Sequence, residues 1–189
     1  MADLIIKPTS GTGNKLILQN QAGNAILTTG NSATDTILAP VAGHSLQVVN
    51  YQTGAVATGT TTIPVDDTIP QKTEGDEYLS LAITPDNSSN LLKIEVSLVA
   101  SCSSQAYLVT ALFQDAVANA LAVDMWLAPA SDPTLMAFNY YMTAGTTSAT
   151  TFKVRVGGHT GTTTINGWGG NRKYGGVMSS SITISEISA

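Results

Sequence analysis

Charge is the scarcest commodity in this sequence: 11% of its 189 residues are Asp, Glu, Lys or Arg, less than half the usual share. Eight Lys and Arg stand against thirteen Asp and Glu, for a net charge of −5. The cations are scattered, with Arg172–Lys173 the one adjacent pair. That argues against nucleic acid as a partner, since phosphate neutralisation needs clustered cations. A single cysteine, Cys102, excludes an internal disulfide and a Cys-rich metal site. No apolar run approaches the roughly 20 residues of a membrane-spanning helix. Met1–Lys7 lacks the charged and then apolar order of a signal peptide. There is no Gly-x-Ser-x-Gly elbow and no Walker-type loop. No segment longer than about ten residues carries helical period with caps.

Apolar residues make up 43% of the chain, and Thr, Ser, Asn, Gln and Gly fill the surface that charge leaves vacant. β-branched Thr packs well on a pleated sheet. A surface so poor in charge has little to desolvate where it meets a partner, and interface cores are likewise charge-poor. A neutral β-protein and an interface-rich one both fit this composition.

From residue 41 onward the pattern is of strands. Ser45–Asn50 and Thr60–Ile63 come first, then a loop bounded by Pro64 and Pro70 and continued by Thr73–Asp76. Glu77–Thr84 precedes the turn Pro85–Asn90. In the next run Leu92, Ile94, Val96 and Leu98 alternate with Lys93, Glu95 and Ser97, the signature of a strand with one dry face. Tyr107–Phe113 and Ala120–Leu127 follow, and Thr134–Thr143 sets Met136, Phe138, Tyr140 and Met142 on one face. Phe152, Val154 and Val156 alternate with Lys153 and Arg155 until Gly157 and Gly158 break the strand. Thr162–Ile165 and Val177–Ile187 complete the set. About eight to ten strands with turn signals every 8–12 residues predict an all-β sandwich or barrel.

Residues 1–40 differ. Leu4-Ile5-Ile6, Leu16-Ile17-Leu18 and Ala25-Ile26-Leu27 are short apolar runs separated by turn compositions. A lone hairpin is marginal in water. These residues are therefore expected to form a β arm that pairs with copies of itself or with a neighbouring protein, against the alternative of a hairpin folded back on its own domain. Gly30–Gly43 reads as the connection.

Candidate chemistry is sparse. Asp66, Asp67, Glu74, Asp76 and Glu77 form one acidic cluster without the twelve-residue spacing of a calcium loop. A glycosidase would need two of its carboxylates facing each other across a cleft. His44 and His159 lack a third ligand at a recognisable spacing. Trp168, Asn171, Arg172, Lys173 and Tyr174 make a candidate recognition loop, able to stack on a sugar or anchor in a partner. The alternative is a glycine-rich turn whose Trp packs back on the sheet. Trp126, Met136, Phe138, Tyr140, Tyr141 and Met142 divide between core and subunit interface, with core favoured.

Four pieces of sequence carry a resemblance. They are Ile63–Gln71 with Thr73–Glu77; Ala111–Asp115 with Ala118–Ala120; Thr151–Gly157; and Asn166–Gly167 with Arg172, Tyr174–Gly176 and Ser180–Ile187. Together they resemble the C-terminal jelly-roll domain of structural proteins of tailed bacteriophages: head fibres, capsid decoration proteins and tail-fibre tips. The resemblance spans roughly residues 45 to 188. It implies a trimeric, tumour-necrosis-factor-like jelly roll over residues 41–189, preceded by an N-terminal β arm over 1–40. It further implies no catalytic activity, no cofactor and no metal. The expected role is a capsid decoration or cement protein on the outer surface of the virion. The arm residues Leu4, Ile5, Ile6, Leu16, Ile17, Leu18, Ile26 and Leu27 would contact the major capsid protein or fellow subunits. The alternative is a tail-fibre or head-fibre tip that binds host surface glycan.

Overall fold

The computed structural model describes residues 42–189 throughout and, before them, residues 17–19, 22–23, 25–29 and 36–38. The chain divides into two units, residues 1–42 and 43–189. In the first, β1 (Ile17–Gln19), β2 (Ala25–Thr29) and β3 (Thr36–Leu38) form an antiparallel sheet in that order. Ile17 and Leu18 lie on β1, and Ile26 and Leu27 on β2. Leu4, Ile5, Ile6 and Leu16 lie outside the described residues. The expected connection after Gly30 holds β3 instead, which supplies the third strand that a marginal hairpin lacks.

The second unit contains β4 (Ser45–Thr53), β5 (Ala57–Gly59), β6 (Asp76–Ile83), β7 (Leu91–Cys102), β8 (Ala106–Gln114) and β9 (Ala122–Ala128). It continues with β10 (Thr134–Thr143), β11 (Thr150–Gly158), β12 (Thr163–Ile165), β13 (Gly167–Trp168), β14 (Asn171–Arg172) and β15 (Ser180–Ile187). One sheet orders β4-β15-β7-β10, with β12 and β5 continuing beside the end of β7. The other orders β6-β11-β8-β9. The two sheets face each other across one core, and the chain crosses repeatedly between them. This is an all-β jelly roll.

Alternation in the sequence becomes the core. Phe152, Val154 and Val156 are buried, while Lys153 and Arg155 turn outward to Glu77 at 3.5 and 3.6 Å. In register across the other sheet, Tyr140 stands opposite Ile94 and Phe138 opposite Val96. Ile184 and Ile182 flank the same two residues from β15. Met136 is fully buried, and Phe138, Tyr140 and Met142 pack against the core. Trp126 and Tyr141 remain exposed, so the aromatic and methionine surplus is core at four positions of six.

Two expected boundaries are corrected. Thr60–Ile63 is not a strand; β5 ends at Gly59. Beyond it the chain folds over the outer face of β8, pinned where Asp76 accepts from the Thr61 amide (3.0 Å) and hydroxyl (2.8 Å). Ile63 there closes a second core with Val109, Ala111 and Phe113. This explains why Leu108–Phe113 is almost wholly buried instead of alternating: both faces of β8 are covered. The other shift is smaller: β11 includes Gly157 and has Gly158 as its last residue. A β-carbon on Gly157 would lie 2.7 Å from the Thr61 carbonyl oxygen and 2.9 Å from the Ile63 amide nitrogen. Glycine is needed there so that the loop can lie flat on the strand.

Where the domain begins, it also ends: the Gly43 amide donates to the Ser188 carbonyl (2.9 Å), and the Ser188 amide to the His44 carbonyl (2.9 Å). Beside this junction the fully buried carboxylate of Glu186 ties three elements together. It accepts hydrogen bonds from the Gln47 amide group on β4, the Asp86 and Asn87 backbone amides, and the Asn90 side chain (2.6 Å). A buried carboxylate is tolerated only when its acceptor sites are filled. Burial pushes its pKa up, but the hydrogen bonds from Asn90, Gln47 and the two amides outweigh this and hold it below the ordinary 4.5.

A depressed folded-state pKa contributes stability above the unfolded value, lost as pH falls through the folded one. Thermal melts of the wild type should therefore lose stability on acidification below about pH 4.5. Glu186→Gln should cost about 2 kcal/mol at neutral pH, and the gap should narrow in acid. A gap that does not change with pH would contradict the assignment.

Candidate functional site

The structure disperses the acidic cluster. Asp66 closes a local turn, accepting from the Thr68 amide (2.8 Å) and hydroxyl (2.5 Å). Glu74 accepts from the Gln71 amide (2.9 Å). Asp76 holds Thr61, and Glu77 faces Lys153 and Arg155. Each of these four carboxylates works on its own neighbours. Among the described residues no three His, Cys, Asp or Glu side chains converge as a metal site would require. His159 Nδ1 accepts from the Tyr107 amide (3.0 Å). Cys102 is buried at the end of β7, its thiol directed to the Thr160 carbonyl oxygen at 3.2 Å.

The candidate recognition loop is a structured hairpin. β13 and β14 pair Gly167 with Arg172 and Trp168 with Asn171, and Gly169 and Gly170 make the turn at φ of 57° and 73°. Such positive angles match the twist of a two-residue hairpin. The hairpin is fastened below: the Ser101 hydroxyl donates to the Gly167 carbonyl (2.9 Å) and the Gly170 amide to Thr164 Oγ1 (3.2 Å). Trp168 is half-buried, and Lys173 Nζ lies 4.0 Å from the centroid of its ring, a cation–π contact. Asn171 and Arg172 are exposed. Tyr174 is 72% exposed and Val177 80%, on either side of Gly175 and Gly176. The expectation of a packed Trp and that of an exposed tip each hold for part of the loop: Trp168 packs, and Tyr174 projects.

Sequence reasoning named only Trp126 of an exposed apolar stretch on β9. β9 is the edge strand of its sheet. Its outer face presents Val123, Met125 and Leu127, which stand beside Ala111, Val109 and Tyr107 of β8. Trp126, on its other face, is 57% exposed. Asp124 carries the strand's sole charge and accepts from the Met125 amide (2.9 Å). Beside β9, the loop Pro64–Pro70 walls a groove of about 470 Å³ lined by Val65, Ile69, Val109, Val123 and Met125. On β10 of the other sheet Leu135 is 60% exposed. The signal was present in the sequence as Val123-Asp-Met-Trp-Leu127, apolar at both parities, but strand periodicity alone does not say which strand lies at an edge.

No family model matches the chain, and no curated protein sequence does. Solved structures resemble it distantly. Dimeric latent PorU from Porphyromonas gingivalis aligns over 91% of this chain and 14% of its own, at 9% identity and a TM-score of 0.45. Infectious bursal disease virus, Gx strain, aligns over 84% of this chain and 40% of its own, at 14% identity and a TM-score of 0.39. The enzymatically active domain of bacteriophage CBA120 tailspike protein 4 aligns over 62% of this chain and 18% of its own, at 14% identity and a TM-score of 0.27. Likeness at this level does not carry function from any of them to this chain.

Proposed function

We propose that this chain is a non-enzymatic structural protein of a virion: a trimeric capsid decoration protein that holds the major capsid protein through residues 1–40 and stabilises the head. The jelly roll and the resemblance in four sequence pieces support the reading. The observation that carries it is the uncovered β9 edge. A strand edge left to solvent is normally blunted by Lys, Pro or inward charge. β9 has neither Lys nor Pro; its one charge is Asp124, and its Val, Met, Trp and Leu are half exposed. Contiguous apolar surface of this kind marks a contact, and the subunit's own copies are the occupant proposed here.

The rest of the surface suits such contacts. On the outer face of the first sheet, Asn50, Thr183, Glu95 and Asn139 lie in one register row, and Val48, Ser185, Lys93 and Tyr141 in the next. Its ion pair, Lys93 with Glu95 at 2.8 Å, is internal, leaving small neutral groups that cost little to desolvate. A second reading, a head-fibre or tail-fibre tip, is favoured by the hairpin at the end of the domain opposite Gly43.

Sedimentation of the full-length protein should give three chains per particle. Met125→Lys and Leu127→Lys place cations on the edge without touching the buried core, and each should yield monomers. Trimers that survive both substitutions would remove the β9 edge from the interface. Imaging of intact particles separates the two locations: density on the head supports decoration, and density confined to the tail supports the fibre tip.

A further inference from the structure

The cations of the jelly roll are not evenly employed. Lys93 pairs with Glu95, and Lys153 and Arg155 with Glu77. Arg155 also donates to the Glu74 and Gly75 carbonyls, and Lys72 Nζ donates to the Ala116 carbonyl. Arg172 and Lys173 make no ion pair among the described residues, and they are adjacent. In a chain of net charge −5, two adjacent cations without an ion pair thus sit on one exposed segment with Trp168 and Tyr174, whereas Lys72, also without a carboxylate partner, is held by a backbone carbonyl.

The hairpin is also held in shape. Gly167 and Gly170 are hydrogen-bonded to β7 and β12, and the Asn171 side chain donates to the Gly169 carbonyl (2.8 Å). Tyr174 adopts φ of 47°, a left-handed conformation that disfavours every residue except glycine and, less strongly, Asn and Asp. Strain kept at an exposed aromatic is a sign of use rather than of packing. Finally, β15 runs from the hairpin's side of the domain at Ser180 to the Gly43–Ser188 junction. Eight residues of strand span about 25 Å. A domain anchored through the segment before Gly43 therefore presents the hairpin at its far end.

We propose that this hairpin is a binding site for an acidic sugar, with the carboxylate taken by Arg172 and the ring face laid on Tyr174. Arg offers paired, fixed donors that match a carboxylate bidentately, and Lys173, held over Trp168, adds charge beside it. The Asn171 carboxamide supplies polar groups for sugar hydroxyls. Two cations match one anionic group per contact, not a polyphosphate backbone, which the net negative charge would repel. The proposal rests on the reading of the domain as anchored at one end, and it is independent of whether the anchor lies on head or tail.

The test is calorimetry on the full-length protein with a panel of carboxylated oligosaccharides (galacturonate, glucuronate and sialic acid types), neutral oligosaccharides of the same length, and sodium sulfate. The expected result is binding of at least one carboxylated sugar, weakened by salt, with the neutral counterpart and sulfate about tenfold weaker or worse. Arg172→Ala and Tyr174→Gly should each reduce affinity about tenfold or more; the first should leave the melting temperature unchanged because its side chain is exposed, and the second should leave it unchanged or raise it because glycine relieves the left-handed φ. Failure of the whole panel, equal binding of the neutral sugar, equal binding of sulfate, or indifference to Arg172→Ala would overturn the proposal. Imaging that places the protein on the head leaves this result standing, and absence of sugar binding leaves the decoration role standing.

Discussion

An edge strand rich in exposed apolar side chains is a liability that a fold covers, blunts or pairs. β9 is paired to β8 on one side only, and its Val123, Met125, Trp126 and Leu127 face water. The molecule deals with apolar surface in three ways. Between the sheets it is buried outright, around Phe152, Leu98 and Ile184. On the outer face of β8 it is roofed by the chain itself, with Ile63 pressed onto Val109, Ala111 and Phe113. At β9 the roof stops: the loop Pro64–Pro70 walls a groove without filling it. What remains is the area through which the domain is proposed to join others.

The scarcity of charge follows the same logic. Ion pairs between exposed residues contribute about 0–1 kcal/mol each, so a fold can omit most of them at little cost in stability. In return the outer face of the first sheet sets Ser, Thr and Asn beside exposed Val48 and Tyr141, with the pair Lys93 and Glu95 among them, so it has few ions to desolvate against a neighbour. Glu186, the carboxylate buried completely among the described residues, accepts from donors on two elements and locks the turn before β7 to β4 and β15. It stands at the end of the domain where residues 43 and 188 meet, and so braces the point at which the preceding segment attaches. At the other end the hairpin carries two cations with no ionic partner. The Gly43–Ser188 junction and the hairpin are separated by the length of the sandwich.

Much of this fold was legible in the sequence. The period-two stretches at Leu92–Leu98, Met136–Met142 and Phe152–Val156 place a dry face on each strand, and the structure buries those faces. Resemblance supplied the jelly-roll topology, which periodicity cannot give. Where reading failed, contacts distant in sequence were responsible. Thr60–Ile63 is β-branched throughout, like a strand, yet Asp76 and Gly157 draw it into a loop across β8. Gly157 and Gly158 look like breakers and do close β11, but Gly157 is also needed so that this loop can approach. Ile37 and Leu38 make a strand only because β2 lies beside them. The hairpin at Trp168 was visible as a composition of aromatic, amide and cation; that Lys173 covers the indole while Tyr174 is left projecting depends on backbone angles that no spacing reveals. The β9 edge was not found because whether a strand is central or lateral is a property of the sheet, not of the strand.

The central claim, that the domain completes its β9 edge against another copy, is tested most directly by hydrogen exchange at the backbone amides of Ala122–Ala128 over a wide range of protein concentration. The account predicts that the β9 amides pointing away from β8 exchange slowly when the protein is concentrated and quickly when it is dilute, while those bonded to β8 and those of β7 and β11 stay protected throughout. Rapid exchange of those outward β9 amides at every concentration would contradict it.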